Sequence, residues 1–180
     1  MKTLSILAFA IFLCTGIGYA DDGGYPNNLL TNFSWETGDT TGWNTCGGGM
    51  TPALHMGPHH GDHDYGTSGC CGAWGDPVGA IQTVTTNPAL DYDVWGWVKG
   101  CDGGQSSFGV GNTNCGQPAT TTLVTNTNCV WSSGSTQLSG VSSITVNYYA
   151  PPHGDWGSAT VRFDDTYVNP VESVDEWALY

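Results

Sequence analysis

Asn32-Phe33-Ser34-Trp35-Glu36-Thr37-Gly38 near the front of the chain and Ala159-Thr160-Val161-Arg162-Phe163-Asp164-Asp165-Thr166-Tyr167-Val168 near its end decide the reading of the fold. The first is an apolar run closed by an aromatic–Glu–x–Gly turn, with Thr41-Gly42-Trp43 just beyond it. The second is a β-branched and aromatic run broken by two adjacent acids. Together they read as the first and last strands of one β-sandwich. Lying side by side, they would let Glu36 and Asp165 meet around a hard cation.

The residues between them fit that frame. Gly, Thr, Ser and Asn dominate, no long helix-period stretch occurs, and short β-branched and aromatic runs alternate with Gly, Pro, Asn and Asp. Strands are expected near 29–36, 78–86, 91–99, 105–112, 120–125, 129–138, 142–149 and 158–168. Asn87-Pro88 and Asp102-Gly103-Gly104 supply turns. Short strands at this density predict an all-β, two-sheet sandwich or jelly roll. Side chains alternate across a strand. Tyr92, Val94, Gly96 and Val98 therefore share one face, and Asp93, Trp95, Trp97 and Lys99 the other. Ile144, Val146 and Tyr148 alternate with Ser143, Thr145, Asn147 and Tyr149, and Phe108 and Val110 with Ser107, Gly109 and Gly111. The aliphatic rows predict the core. The opposite rows mix polar groups with aromatics, as an open sheet face for a ligand would.

Two segments fall outside the pattern. Residues 46–76 form a Gly-, Cys- and His-rich insertion, long enough to need a function or a covalent tie. Residues 169–180 form an acidic tail with Trp177 and Tyr180. Residues 1–20, with Lys2, an apolar run from Leu4 to Gly18 and Gly18-Tyr19-Ala20, read as a secretory signal. The domain then occupies 21–168, and the protein is expected to be secreted and extracellular.

Seven cysteines occur, with Cys14 in the leader, so six remain: Cys46, Cys70, Cys71, Cys101, Cys115 and Cys129. An even number in a secreted chain predicts about three disulfides among 15 possible connectivities. Cys101 with Cys115, flanking a hairpin, is one expected pair, and Cys46 with Cys70 or Cys71 another.

Charge narrows the partners. Beyond the leader only Lys99 and Arg162 are basic, against 16 acids, which makes the mature chain one unit more negative than the −13 of the whole. Nucleic acid is excluded, because phosphate binding rests on several Lys and Arg contacts. An anionic membrane surface is disfavoured likewise. Neutral sugars, cations and basic surfaces remain open.

The ordered set Asn32-Phe-Ser-Trp-Glu-Thr-Gly, Thr41-Gly-Trp43, Ala80-Ile-Gln-Thr-Val84, Tyr92-Asp-Val-Trp-Gly-Trp-Val-Lys-Gly100, Phe108-Gly-Val110, Trp131, Ile144-Thr-Val-Asn-Tyr148 and Val161-Arg-Phe-Asp-Asp-Thr-Tyr-Val168 resembles carbohydrate-binding modules of the family 4/9/16-like (CenC-type) group. The resemblance spans about 32–168. It implies a galactose-binding-like sandwich, polysaccharide binding, and a structural Ca²⁺ between the first and last strands. The 46–76 insertion departs from that pattern, as does the expectation that no catalytic domain is attached.

On this reading Glu36, Gly38, Asp164 and Asp165 are the calcium candidates. By strict alternation Asp165 shares its side with Val161, Phe163 and Tyr167, where a carboxylate is costly unless paired. With almost no Lys or Arg available, an oxygen-loving cation fits, and Gly38 could add a main-chain oxygen. Trp95 and Trp97, two apart on a strand, offer a stacking platform for a pyranose. Asp93, Asn147 and Tyr149 would take its hydroxyls if their strands adjoin. Trp43 and Trp131 are expected to pack structurally. His55, His59, His60 and His63 are ligand types for Zn²⁺, Cu²⁺ or Ni²⁺. Pro58, Gly57 and Gly61 oppose the helix that orients such pairs, so a solvated polar loop is the better reading. Asn32-Phe33-Ser34 is an N-glycosylation sequon.

Catalysis finds little support. The Glu residues are Glu36, Glu172 and Glu176, one at the calcium position and two in the tail, whereas glycosidases need two facing carboxylates. Asp21 rather than His is expected to begin the mature chain, and no Ser nucleophile elbow occurs. The expected function is a secreted, non-catalytic, disulfide-stapled lectin-like module. The alternative is a self-assembling extracellular protein that uses the same fold for contacts with itself or with another protein.

Overall fold

The computed structural model describes residues 27–47, 51–53 (main chain only), 58–66, 76–152 and 160–171. Residues 1–26, which include the expected signal, lie outside them, as do His55, Cys70, Cys71 and the tail beyond Val171. Among the described residues ten strands form two five-stranded antiparallel sheets. The first sheet is ordered β1 (Asn44–Cys46), β4 (Val78–Thr85), β9 (Ser143–Ala150), β6 (Ser106–Val110), β7 (Thr121–Asn126). The second is ordered β2 (Thr51–Ala53), β3 (Asp64–Gly66), β10 (Thr160–Pro170), β5 (Asp91–Cys101), β8 (Ser132–Ser139). This is the β-sandwich that the patterning predicts.

The core comes from the anticipated rows. Tyr92, Val94 and Val98 of β5, Phe108 and Val110 of β6, and Ile144, Val146 and Tyr148 of β9 are all buried. An aromatic chain ties the sheets together. Trp43 stacks on Trp35 (4.5 Å), Trp35 on Tyr65 (4.5 Å), and Phe163 on Tyr148 (4.6 Å), which tilts against Phe108 (5.0 Å). Gly96 must be glycine here. A Cβ would sit 2.8 Å from the Tyr148 hydroxyl and 2.9 Å from the Phe108 ring.

Three expectations need correction. Residues 29–36 lie beside β10 but form turns rather than a strand. Main-chain bonds tie them to β10 at two points, Leu29 N–H to Val168 O and Thr166 N–H to Phe33 O, both 3.0 Å. Side chains take over the remaining pairing. Asn28 donates to Thr166 O and accepts from Val168 N–H. Gln82 accepts from Thr31 N–H and donates to Thr31 O, and Asn32 donates to Asp39 O. Asn and Gln side chains here compete with the ladder for the main chain. The sequon's Asn32 amide is thus engaged and Ser34 is buried.

Secondly, the 46–76 insertion is partly sheet. Its β3 pairs with β10 (Phe163 with Tyr65), and β2 pairs with β3. Tyr65 enters the core, which is why a loop-like composition can add an edge to the sheet. The acidic tail likewise begins late, because β10 runs to Pro170.

Thirdly, the disulfides among the described residues are Cys46–Cys115 and Cys101–Cys129. This excludes Cys101–Cys115 and any pairing of Cys46 with Cys70 or Cys71. The first bridge spans a sequence separation of 69 and pins the 111–118 loop to β1. Replacing Cys46 and Cys115 together by serine is expected to cost about 4 kcal/mol by the loop-entropy estimate. The check is a lower urea midpoint for the variant, with an equal midpoint counting against the bridge.

Candidate functional site

The second sheet turns its outer face to a polar and aromatic surface. Across β5, Trp97 lies between Asp164 of β10 and Ser133 of β8, Trp95 between Tyr167 and Ser135, and Asp93 between Asn169 and Gln137. Lys99 sits opposite Arg162. Asn147 and Tyr149 do not join this surface. Their strand β9 belongs to the other sheet, flanked by β4 and β6, so they face away from the two indoles. Asn147 is buried under the 111–118 loop, donating to Asn112 O (3.4 Å) and Gln117 O (3.3 Å). Tyr149 is flanked by Gly79 and Ser107.

The two indoles have different fates. Trp97 is capped by the His59 imidazole, stacked at 3.7 Å and 20°. Trp131 closes the flank of His59 edge-on at 5.8 Å, and the Lys99 ammonium lies 5.8 Å from the Trp131 ring centre. Trp131 is therefore a half-exposed wall of this surface, whereas Trp43 packs in the core as expected. Trp95 packs edge-to-face against Tyr167 (5.0 Å), which contacts Phe33 (5.3 Å). On its other side opens a depression of about 330 Å³, lined by Asp93, Val94, Trp95, Ser135, Thr136 and Gln137. Gln137 Nε2 donates to Asp93 Oδ1 at 3.1 Å. The pair presents one carboxylate oxygen and the far side of an amide to the opening.

The acids that motivated the calcium expectation hold the 59–63 loop. Glu36 accepts from the main-chain N–H of Asp62 (3.1 Å to each oxygen) and of His63 (2.8 Å). His63 Nδ1 lies 3.5 Å from Glu36 Oε2. Gly61, at φ +66°, is required at this corner because a Cβ would collide with the Glu36 carboxylate. Asp164 Oδ2 accepts from His59 N–H (2.8 Å) and His60 N–H (3.3 Å), and Asp164 Oδ1 from Asp165 N–H (2.9 Å). His59 Nδ1 meets Asp165 Oδ2 at 2.5 Å. Glu36 and Asp165 thus grip opposite ends of one loop. Gly38 donates its N–H to Trp35 O and lies beside His63.

Asp165 differs from the alternation argument for a visible reason. A bulge between Asp164 and Thr166 shifts the register and places Asp165 at φ +39°. Thr166 turns inward to the Tyr148 hydroxyl (2.6 Å), while Tyr167 turns outward. Burial pushes the Asp164 carboxyl well above the usual carboxylate range, with the neighbouring Asp165 charge adding to it. Burial likewise raises the Tyr148 phenol well above its ordinary value. Asp64, also fully buried, is paired with Arg162 at 3.2 Å.

The histidines do not converge. His59 serves Asp165 and Trp97, His63 faces Glu36, and His60 offers its main chain to Asp164. Among the described residues no three His, Cys, Asp or Glu side chains are grouped as a metal ion would require. The loop is not the solvated segment expected, since carboxylates fasten it to the sheet. Gln137, Ser135 and Thr136 escaped sequence reasoning because only the β5–β8 register brings them beside Trp95.

No family model matches the chain, and no curated protein matches it. Its fold does match solved structures. TmCBM61 in complex with β-1,4-galactotriose superposes with a TM-score of 0.58 at 17% identity, covering 80% of this chain and 99% of that one. The second family 16 carbohydrate-binding module gives 0.52 at 19%, covering 81% and 100%. The CBM22-1 xylan-binding domain of Xyn10C from Paenibacillus barcinonensis gives 0.50 at 20%, covering 79% and 94%. The chain therefore has the β-sandwich fold of carbohydrate-binding modules.

Proposed function

We propose that this protein is a non-catalytic glycan-binding module that uses the depression beside Trp95. The observation that carries the reading is the combination there of one indole with the Asp93–Gln137 pair. An indole offers an apolar face with a polar edge, which suits the C–H face of a pyranose, and sugar hydroxyls both donate and accept. The fold neighbours that bind β-1,4-galactotriose and xylan support it. Among the described residues Asp93 is the one carboxylate lining the depression, whereas glycoside hydrolysis uses two across the scissile bond. Secretion fits two disulfides, which persist in oxidising compartments. Among the described residues no helix is long and apolar enough to cross a membrane.

Electrophoresis through gels containing xylan or β-1,4-galactan tests the reading. Retardation by at least one of these polysaccharides is expected, and unchanged mobility in both would reject it.

A structural Ca²⁺ beside Asp164 and Asp165 belongs to the same proposal; Glu36 and Gly38 lie at the other end of the 59–63 loop and do not complete that site. Asp165 Oδ1 is buried without a hydrogen-bond partner among the described residues, and oxygen donors are what Ca²⁺ takes. When bound, the ion would offset the charge of two buried neighbouring acids. The pH dependence follows from the raised Asp164. The folded state holds that proton to a higher pH than the unfolded chain. The group's stabilising contribution is therefore complete below the unfolded carboxylate value, about 3.9, and is lost as pH rises through the folded value. In chelator the melting temperature should fall as pH rises above the unfolded carboxylate value, about 3.9, and millimolar Ca²⁺ should reduce that fall by mass action. Identical profiles with Ca²⁺ and with chelator would remove calcium from the account.

A further inference from the structure

We propose that β8 pairs edge to edge with β8 of a second copy of this chain, joining the second sheets of the two copies into one across a two-fold axis. The contact is independent of the glycan reading.

An edge strand offers a row of unpaired main-chain N–H and C=O groups, and folds blunt such rows with short strands, Pro, charge or bulges. Among the described residues the edges are β1 and β7 in the first sheet and β2 and β8 in the second. Three of the four are blunted. β1 is three residues long and is tied through Cys46 to the 111–118 loop. β2 is three residues long with Pro52 at its centre. β7 carries a bulge, where the register shifts between Phe108 and Gly109 of its partner. β8 has none of these devices. Its eight residues, Ser132-Ser-Gly-Ser-Thr-Gln-Leu-Ser139, include no Pro and no charge. They pair with β5 without a register shift. Behind the strand, Gly134 rests on the main chain of Leu123 in β7, where a Cβ would come within 2.6 Å. The row is therefore long, regular and backed by the opposite sheet.

Charge says which strand can add to it. The whole chain is strongly acidic, so two copies repel wherever their acids face each other. Between Asp102 and Asp155 the chain has no Asp, Glu, Lys or Arg, and β6, β7, β8 and β9 all fall in that stretch. One strand behind the β8 edge, Asp91 and Asp93 of β5 lie opposite Ser139 and Gln137. Neighbouring strands are about 4.8 Å apart, so pairing of β8 with its copy keeps the two β5 strands three spacings, about 14 Å, apart. That exceeds the Debye length of about 8 Å at physiological salt. A basic strand would find no acid on β8 to select it, whereas the strand's own copy is neutral and of equal length.

Alternation limits the register. Ser133, Ser135, Gln137 and Ser139 are the exposed row of β8, and residues directly opposite each other in a sheet share a face. The two-fold axis must therefore pass through a residue, Ser135 or Thr136 at the centre of the strand, so that exposed residues meet exposed residues. A contact of this kind uses the same patch on both copies and closes at two. One strand edge is small beside a permanent interface, so the dimer forms and dissociates with concentration.

Sedimentation equilibrium of the intact mature protein, from micromolar to millimolar concentration, tests this. The mass should rise from one copy to two and stop there. A mass of one copy throughout would overturn the proposal and leave the edge to a strand of another protein. A mass that climbs past two copies would overturn the closed two-fold contact. Raising the salt should tighten the dimer by about threefold or more, because it screens the remaining repulsion between copies. Weaker association in salt would mean attraction between charges and would overturn the uncharged seam. Ser133→Glu combined with Ser139→Glu, both at exposed positions, puts acids on the seam and leaves the residues lining the depression untouched. Like charges facing each other across paired strands are destabilising, so association should weaken by about tenfold or more at an unchanged unfolding midpoint. Thr83→Glu combined with Thr85→Glu adds the same charge at exposed positions of β4 in the other sheet, and should leave association near that of the wild type. Equal loss in both variants, or undiminished association in the first, would contradict the β8 seam.

Discussion

Trp35→Ala should cost the fold about 3–5 kcal/mol, the range for removing a large buried aromatic, out of the 5–15 kcal/mol that holds a typical domain together. Trp35 is completely buried and stacked on both faces, by Trp43 at 28° and by Tyr65 at 19°. Through Tyr65 it joins β3 to the core, and through Trp43 it reaches Tyr148 of the opposite sheet at 5.9 Å. It does so from φ +62°, a conformation that a bulky residue rarely adopts. Such a conformation persists when surrounding packing over-determines it. Alanine would keep the unfavourable backbone and lose the stacking that maintains it. Urea unfolding followed by fluorescence should show a midpoint far below wild type, with Trp35→Phe between the two. A wild-type midpoint for Trp35→Ala would mean that the aromatic chain is not what joins the sheets.

Trp95→Ala should have the largest effect on binding. A stacking aromatic at the centre of a small site behaves as a hot spot, costing about 2 kcal/mol or more on truncation, which is roughly thirtyfold in affinity. Loss of retardation in the polysaccharide gel is the simplest readout. Because Trp95 also packs against Tyr167, the variant's unfolding midpoint must be measured beside it. Gln137→Ala provides an independent check, since Gln137 is exposed on an edge strand and its hydrogen bond is to exposed Asp93. It should weaken binding severalfold without moving the midpoint. Undiminished retention in both variants would displace the site from this face.

Much of this architecture is legible in the amino-acid order, for a physical reason. Period-two alternation in β5 reports burial directly, and the rows it names in β6 and β9 are buried too, although the opposite rows of those two strands are largely covered as well. What alternation does not report is which strands adjoin. Trp95 and Trp97 face outward as expected, but the partners of that face come from β8 and β10, not from β9. Asn147 and Tyr149 have the right side-chain chemistry on the wrong sheet. Two local conformations also escape a pattern-based reading. The turns through Asn32 and Trp35 replace an expected strand, because neighbouring amide side chains satisfy the main chain in place of a ladder. The bulge at Asp165 reverses the facing of Tyr167. The insertion was the least legible segment. Its His and Asp residues suggested a solvated loop, yet Glu36 and Asp164 fasten it by accepting its main-chain N–H groups, whose availability no side-chain pattern reveals. Cysteine spacing pointed to Cys101–Cys115, while the fold brings Cys129 to the end of β5 instead.

A crystal structure of the mature protein with a bound linear neutral oligosaccharide tests the central assignment most directly. The account predicts one sugar ring stacked on Trp95, its hydroxyls within hydrogen-bond distance of Asp93 and Gln137, and His59 still seated on Trp97. A saccharide lying instead on the outer face of the other sheet, over Tyr149, would contradict it.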